Sequence, residues 1–165
     1  CWELALKKTD GPSTMALTRQ TVGSVRKAHT DENLSAKGGY VLSSGDGEEK
    51  IVLIATGSEV DIAVQAQEML REAGISARVV SMPCMELFAE QADDYRCSVL
   101  PDGVPTLSVE AGVTFGWARW ADRSVGIDRF GASAPGERAM AELGITPDAV
   151  VTAAESLLDR PGGPR

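Results

Sequence analysis

The sequence predicts an α/β fold built on a mostly parallel sheet, and three observations carry that expectation. Ile51-Val-Leu-Ile-Ala-Thr56 is a continuous apolar run of strand length, the pattern of a strand buried on both faces. A stretch with helix start and stop signals follows at once. Further apolar runs then alternate with helical patterns as far as Leu158, and such alternation implies crossover connections between parallel strands.

The elements follow in order. Gly39-Tyr-Val-Leu42 reads as a short strand and Ser43 to Lys50 as a Gly-rich, acidic, hairpin-like loop. After the run 51–56, Ser58-Glu-Val-Asp61 predicts a capping box. Val60, Ala63, Val64, Leu70 and Ala73 then share one helix face, and Gly74 supplies the stop. Ala77-Arg-Val-Val-Ser-Met82 is a second strand, Glu86 to Val99 a helix, and Thr106-Leu-Ser-Val-Glu110 a third strand. Phe115 to Asp122 reads as a short helix and Ser124-Val-Gly-Ile-Asp128 as the last strand. Ser133 to Glu137 opens a helix through Leu143. Thr146-Pro147-Asp148 places an N-cap, a proline at the first helical position and an acid in the first turn, ahead of Val150, Ala154, Leu157 and Leu158.

Upstream, Trp2 to Lys8 is helix-like, Thr9-Asp-Gly-Pro12 is a turn, and Thr14-Met-Ala-Leu-Thr18 is a short strand-like run that ends at Arg19. Residues 20–37 carry charges and no sustained period, which predicts an exposed connection between two domains. The tail Arg160-Pro-Gly-Gly-Pro-Arg165 has nothing to pack and is expected to be disordered. The chain opens on Cys1 inside a helix-like stretch, so it is expected to be a segment of a longer polypeptide.

Composition narrows the function. The 165 residues are 43% hydrophobic, enough for one ordinary core. Lys and Arg number 16 against 24 Asp and Glu, and a net charge of -8 argues against non-specific nucleic-acid binding, because an acidic surface repels phosphate backbones. No apolar run approaches the roughly 18 to 20 residues a membrane helix needs, so no membrane partner is expected. Three cysteines without a C-x-x-C suggest neither a disulfide framework nor a zinc site, and point to a reducing, cytoplasmic setting. A single histidine, His29, excludes a two-His metal site and any mechanism needing several imidazoles from this chain alone.

Few side chains present themselves for chemistry. Arg19 follows the apolar run 14–18, and ligands gather at the carboxyl edge of strands in open α/β sheets. A guanidinium there either binds a phosphate or carboxylate in bidentate fashion or closes a structural ion pair. Ala55-Thr-Gly-Ser-Glu59 is a strand-to-helix turn whose amides suit either an anion or an ordinary cap. Glu110 at another strand end suits a base or a structural acid. Phe115, Trp117 and Trp120 cluster as core or subunit interface. His29 reads as solvated, and Cys84 and Cys97 as unreactive packing residues, with no neighbouring imidazole in the sequence to activate them.

Several blocks taken together resemble the transketolase family. They are Asp10-Gly-Pro-Ser-Thr-Met-Ala-Leu-Thr-Arg-Gln20, Gly38-Gly-Tyr-Val-Leu42, Ala55-Thr-Gly-Ser-Glu-Val60, Ala77-Arg-Val-Val-Ser-Met-Pro83, Tyr95-Arg-Cys-Ser-Val-Leu-Pro101, Val109-Glu-Ala-Gly112 and Phe130-Gly-Ala-Ser-Ala-Pro135. The resemblance implies a three-layer α/β fold like the transketolase C-terminal domain, with a mostly parallel five-stranded sheet. It implies the end of a pyrimidine-binding domain over residues 1–20, a linker over 21–37 and the C-terminal domain over 38–158, followed by the tail 159–165. For the whole enzyme it implies transfer of a two-carbon ketol unit between sugar phosphates in the pentose phosphate pathway, with thiamine diphosphate, a divalent metal (Mg or Ca) and a homodimer. Of the residues present, Arg19 takes the family's substrate-phosphate role. The cofactor motifs belong to segments upstream, so this chain is expected to need the rest of the transketolase chain, or a split N-terminal subunit, for activity. The rivals are a non-catalytic assembly domain, and another thiamine-dependent enzyme such as a deoxyxylulose-phosphate synthase or a keto-acid dehydrogenase subunit. An effector site at the Thr56-Gly57-Ser58 turn is a further possibility, on fold analogy.

Overall fold

The computed structural model describes residues 1–159. Its centre is a five-stranded sheet of order β1-β3-β2-β4-β5, formed by β1 (Tyr40–Ser43), β2 (Ile51–Ala55), β3 (Ala77–Ser81), β4 (Thr106–Val109) and β5 (Arg123–Val125). β2, β3, β4 and β5 run parallel, and β1 alone is antiparallel, paired with β3 through a bulge between Val41 and Ser43. β2 lies in the middle with all five residues buried, which is why its sequence is apolar throughout rather than alternating.

The period of two sorts β2 onto two cores. Ile51, Leu53 and Ala55 face one side, where they meet α2 (Glu59–Glu72) and α6 (Pro147–Leu158) through Val60, Ala63, Leu70, Val150 and Ala154. Val52 and Ile54 face the other side, among Met82, Phe88, Val99 and Trp117. That second layer consists of α3 (Met85–Ala89), α4 (Asp93–Val99) and a 3-10 turn at Thr114–Arg119. The result is the expected three-layer, mostly parallel architecture.

The start of α6 and the stop of α2 follow their sequence signals. The Thr146 hydroxyl accepts the Ala149 amide at 3.2 Å with Pro147 at the first helical position. At the end of α2, Gly74 takes φ +79, its amide reaches Arg71 O, and Ile75 N donates to Leu70 O at 2.8 Å, which satisfies the last carbonyls.

Several expectations need correction. The capping box fails: Ser58 already has helical dihedrals, its side chain makes no cap, and its hydroxyl donates to Glu59 Oε2 instead. The helix expected over 86–99 is two helices, broken at Ala92, which is extended. The break lets Arg96 Nη1 donate to Ala89 O and Tyr95 reach Gly39 O, both at 2.8 Å. The aromatic helix is a 3-10 turn, and the last strand is shorter than its apolar pattern. Residues 14–18 form no strand, because no described strand pairs with them. Upstream, α1 (Trp2–Lys7) and a 3-10 turn (Leu34–Lys37) are the regular elements; Val25 of the connecting stretch packs on the α2 side of the core. The tail expected to be disordered lies, from Arg160 onward, outside the described residues.

Candidate functional site

Arg19 lies at an exposed bend, and among the described residues it takes part in no salt bridge. Its neighbours hold the backbone locally: the Thr18 hydroxyl donates to Gln20 Oε1, and Gln20 N donates to Thr18 Oγ1 at 3.4 Å. Gln20 then packs across Gly136, where an added Cβ would sit 3.1 Å from its Nε2. Two blocks more than a hundred residues apart, the one ending in Arg19-Gln20 and the one running into Gly136, are thus brought together. The strand end that motivated Arg19 is absent, but its guanidinium is presented to solvent.

The other sequence candidates meet at the carboxyl edge of the sheet. The chain leaves β2 toward α2 on one face and leaves β4 toward the Thr114–Arg119 turn on the other. Connections that diverge in this way open a crevice between neighbouring strand ends. Gly57, at φ +58, makes the turn out of β2, and the Glu59 carboxylate lies back over that turn, its Oε2 3.6 Å from where a Cβ at Gly57 would sit, with the residue only 7% exposed. Glu110 stands at the end of β4, and its Oε2 accepts the Trp117 indole N–H at 2.5 Å.

Burial pushes the Glu59 carboxyl above the ordinary carboxylate range. Its own amide and the Ser58 hydroxyl pull the other way, the charge of Glu110 adds to the rise, and the Ala111 amide favours the ionised form. Among the described residues, no Lys, Arg or His forms a salt bridge with either carboxylate. Glu59 was only the last letter of the Thr56–Glu59 turn in the sequence. The signal that could have singled it out is a carboxylate at the first helical position, one tight turn after a strand with no polar residue.

The remaining candidates separate. Trp117 is core at 2% exposure, Trp120 packs edge-on to Phe88 at 5.0 Å, and Phe115 is 87% exposed. His29 is exposed, with Nε2 3.1 Å from Asp31 Oδ1. Cys84 is half-buried, but Cys97 is exposed, which corrects its reading as a packing residue. A cleft of 870 Å³ lies between residues 25–30 and the β1 and α2 surface, where Arg26, Lys27 and Arg71 alternate with Asp46 and Glu68. A second of 400 Å³ lies near the start of β4, beside Phe88, Cys97 and Trp120. Neither is lined by Arg19, Glu59 or Glu110. No described helix is long and apolar enough to cross a membrane.

Comparison with known proteins now decides the family. The profile of the transketolase-like TK C-terminal domain matches residues 38–146. The chain belongs to this transketolase family. A transketolase of Rhodobacter capsulatus is 47% identical over 166 residues, 95% of this chain and 25% of that protein. A transketolase of Craterostigma plantagineum is 47% identical over 164 residues, 94% of this chain and 24% of that protein. The chain therefore spans about a quarter of the length of these transketolases. Among solved structures, the transketolase of Leishmania mexicana superposes with a TM-score of 0.89 at 40% identity, over 96% of this chain and 23% of that one. A transketolase of Pichia stipitis in complex with sedoheptulose 7-phosphate gives 0.71 at 42% identity, over 75% of this chain and 18% of that one.

Proposed function

We propose that this chain is the C-terminal part of a transketolase, which transfers a two-carbon ketol unit between sugar phosphates, and that Arg19 is its contribution to the substrate site. In this reading residues 1–20 end the pyrimidine-binding domain, 21–37 link it onward, and 38–158 are the C-terminal domain. The observation that carries the role of Arg19 is its place in Leu17-Thr-Arg-Gln20, without a salt-bridge partner among the described residues and steadied through Gln20 against Gly136. A planar guanidinium so presented matches a phosphate in bidentate geometry. The sedoheptulose 7-phosphate complex of the Pichia stipitis relative supports the substrate class.

Thiamine diphosphate supplies the carbanion chemistry of such enzymes when bound. The described residues include no group of three or more His, Cys, Asp or Glu side chains placed to bind a metal, so they do not fit the divalent ion that accompanies it. Both are assigned to the remaining three quarters of the enzyme, supplied by the same chain or by a split N-terminal subunit. The segment supplies a phosphate-binding arginine and supports the assembly of a cytoplasmic homodimer, and alone it is inactive.

The test is Arg19→Ala in the intact enzyme. A hydrogen bond to a charged group contributes roughly 1.5 to 3 kcal/mol, so kcat/KM for phosphorylated sugars should fall about 10- to 150-fold. Unphosphorylated donors should change far less, and an equal loss for both would sink the phosphate role.

A second reading makes the domain an assembly module with no ligand of its own, and exposed Val113, Phe115 and Phe130 favour it. Equal activity of wild type and Arg19→Ala on all donors would leave this reading standing.

A further inference from the structure

Arg19 and both its neighbours in sequence are exposed, and a bend so placed moves freely unless side chains tie it down. Two contacts do so. The Thr18 hydroxyl accepts the Gln20 amide N–H at 3.4 Å and donates to Gln20 Oε1, which closes a small ring around the Arg19 backbone. The rest of the Gln20 side chain lies across Gly136, the first residue of α5 (Gly136–Glu142). The three atoms nearest to a Cβ at Gly136 would all belong to Gln20: Nε2 at 3.1 Å, Cγ at 3.3 Å and Cδ at 3.5 Å.

The glycine is informative because its backbone does not call for one. Gly136 is not among the glycines with positive φ, and glycine is a poor helix former. Gly131, earlier in the same stretch, has nothing within 4 Å of the place its side chain would take, so the close contact belongs to position 136 and not to the stretch as a whole. A glycine that neither φ nor helix propensity favours marks a close approach, and what approaches is Gln20.

We propose that Thr18, Gln20 and Gly136 are positioning residues for Arg19, so that α5 helps to set the preference for phosphorylated sugars without touching the substrate. The inference rests on the phosphate role of Arg19. A guanidinium makes two parallel hydrogen bonds to a phosphate only when its plane and distance are right. Anchoring the bend on both sides of Arg19 removes backbone freedom that binding would otherwise have to freeze, and it holds the phosphate in one place.

The experiment is steady-state kinetics of the intact enzyme on phosphorylated and unphosphorylated donors. Thr18→Val removes the hydroxyl at nearly constant shape, Gln20→Ala removes the amide, and Gly136→Leu puts a side chain where the amide lies. Each should raise KM for phosphorylated sugars about 3- to 10-fold while kcat stays close to wild type, and unphosphorylated donors should change far less. Thr18→Ser, which keeps the hydroxyl, should restore the wild-type KM. Gly136→Leu should add nothing to Gln20→Ala, and none of the three should add to Arg19→Ala, because each acts through the next residue in the series. The inference is overturned, with the phosphate role of Arg19 left standing, if Arg19→Ala shows its selective loss while Thr18→Val, Gln20→Ala or Gly136→Leu keeps the wild-type KM. It is overturned in the same way if their losses persist undiminished beside Arg19→Ala. An Arg19→Ala enzyme that loses both kinds of donor equally overturns the phosphate role and this inference together.

Discussion

The guanidinium of Arg78 lies 2.7 Å from the carboxylate of Glu49, and the two side chains are only 16% and 12% exposed. Each of the other ion pairs among the described residues has a partner more than half exposed. Arg78 also donates to Ser98 O and Val99 O at 2.7 and 3.0 Å, and Glu49 accepts the Gly45 amide at 3.1 Å. The pair thus ties the loop before β2, strand β3 and the end of α4 together at the amino edge of the sheet.

Removing one partner leaves the other poorly hydrated and without its countercharge. Glu49→Ala should lower stability by about 3 kcal/mol, measured as a reduced urea midpoint at unchanged slope. Glu68→Ala, which frees the exposed Arg71, should leave the urea midpoint nearly unchanged.

Gly38 has φ +76, and a Cβ there would sit 2.2 Å from the Phe88 amide nitrogen and 2.4 Å from Cys84 O. Gly47 has nearly the same φ, +75, with nothing within 4 Å. Gly47→Ala should therefore show the backbone strain alone, about 1 to 2 kcal/mol. Gly38→Ala adds a collision with the start of α3, and its melting temperature should fall clearly below that of Gly47→Ala.

Trp117→Phe keeps most of the ring in the core but leaves Glu110 without its indole donor, so a loss of about 1 to 3 kcal/mol is expected. Phe115→Ser, at an exposed position, should leave the melting temperature nearly unchanged. If the domain is an assembly module, Phe115→Ser should shift the oligomer toward smaller species in light scattering, and an unchanged mass would remove Phe115 from any interface.

The Thr114 amide, and then its hydroxyl, hold the Asp128 carboxyl below its ordinary 3.8. A lowered carboxylate contributes stability that is complete above the unfolded value and is lost as pH falls through the folded one. The Thr114 amide resonance should accordingly move in acid below pH 3.8, and in Asp128→Asn that movement should vanish. Glu59 acts in the opposite sense, since its raised value means that its contribution weakens as pH rises above 4.5.

Elements whose signals lie within a few residues were legible. The unbroken apolar run of β2, the Gly74 stop and the Thr146-Pro147 start each carry a local cause, and each appears where the sequence places it. Elements that depend on a distant partner were not. The run 14–18 has strand composition but no described strand beside it, and the 86–99 helix breaks so that Tyr95 can reach Gly39 O, 56 residues away. Ser58 looked like a cap by type and spacing, yet the turn at Gly57 had already set its dihedrals as helical.

The same division holds for the candidate sites. Arg19 stands out through its motif, which is a property of adjacent residues. The sequence by itself determined the α/β class, the stop of α2 and the start of α6, the family, and Arg19 as the side chain to test. Only the tertiary structure decided that Gln20 rests on Gly136, that Trp117 serves Glu110 while Phe115 faces solvent, and that Glu59 is buried beside a second carboxylate. Short-range preferences are written in neighbouring residues, whereas burial and charge pairing arise only when strand order brings remote residues together.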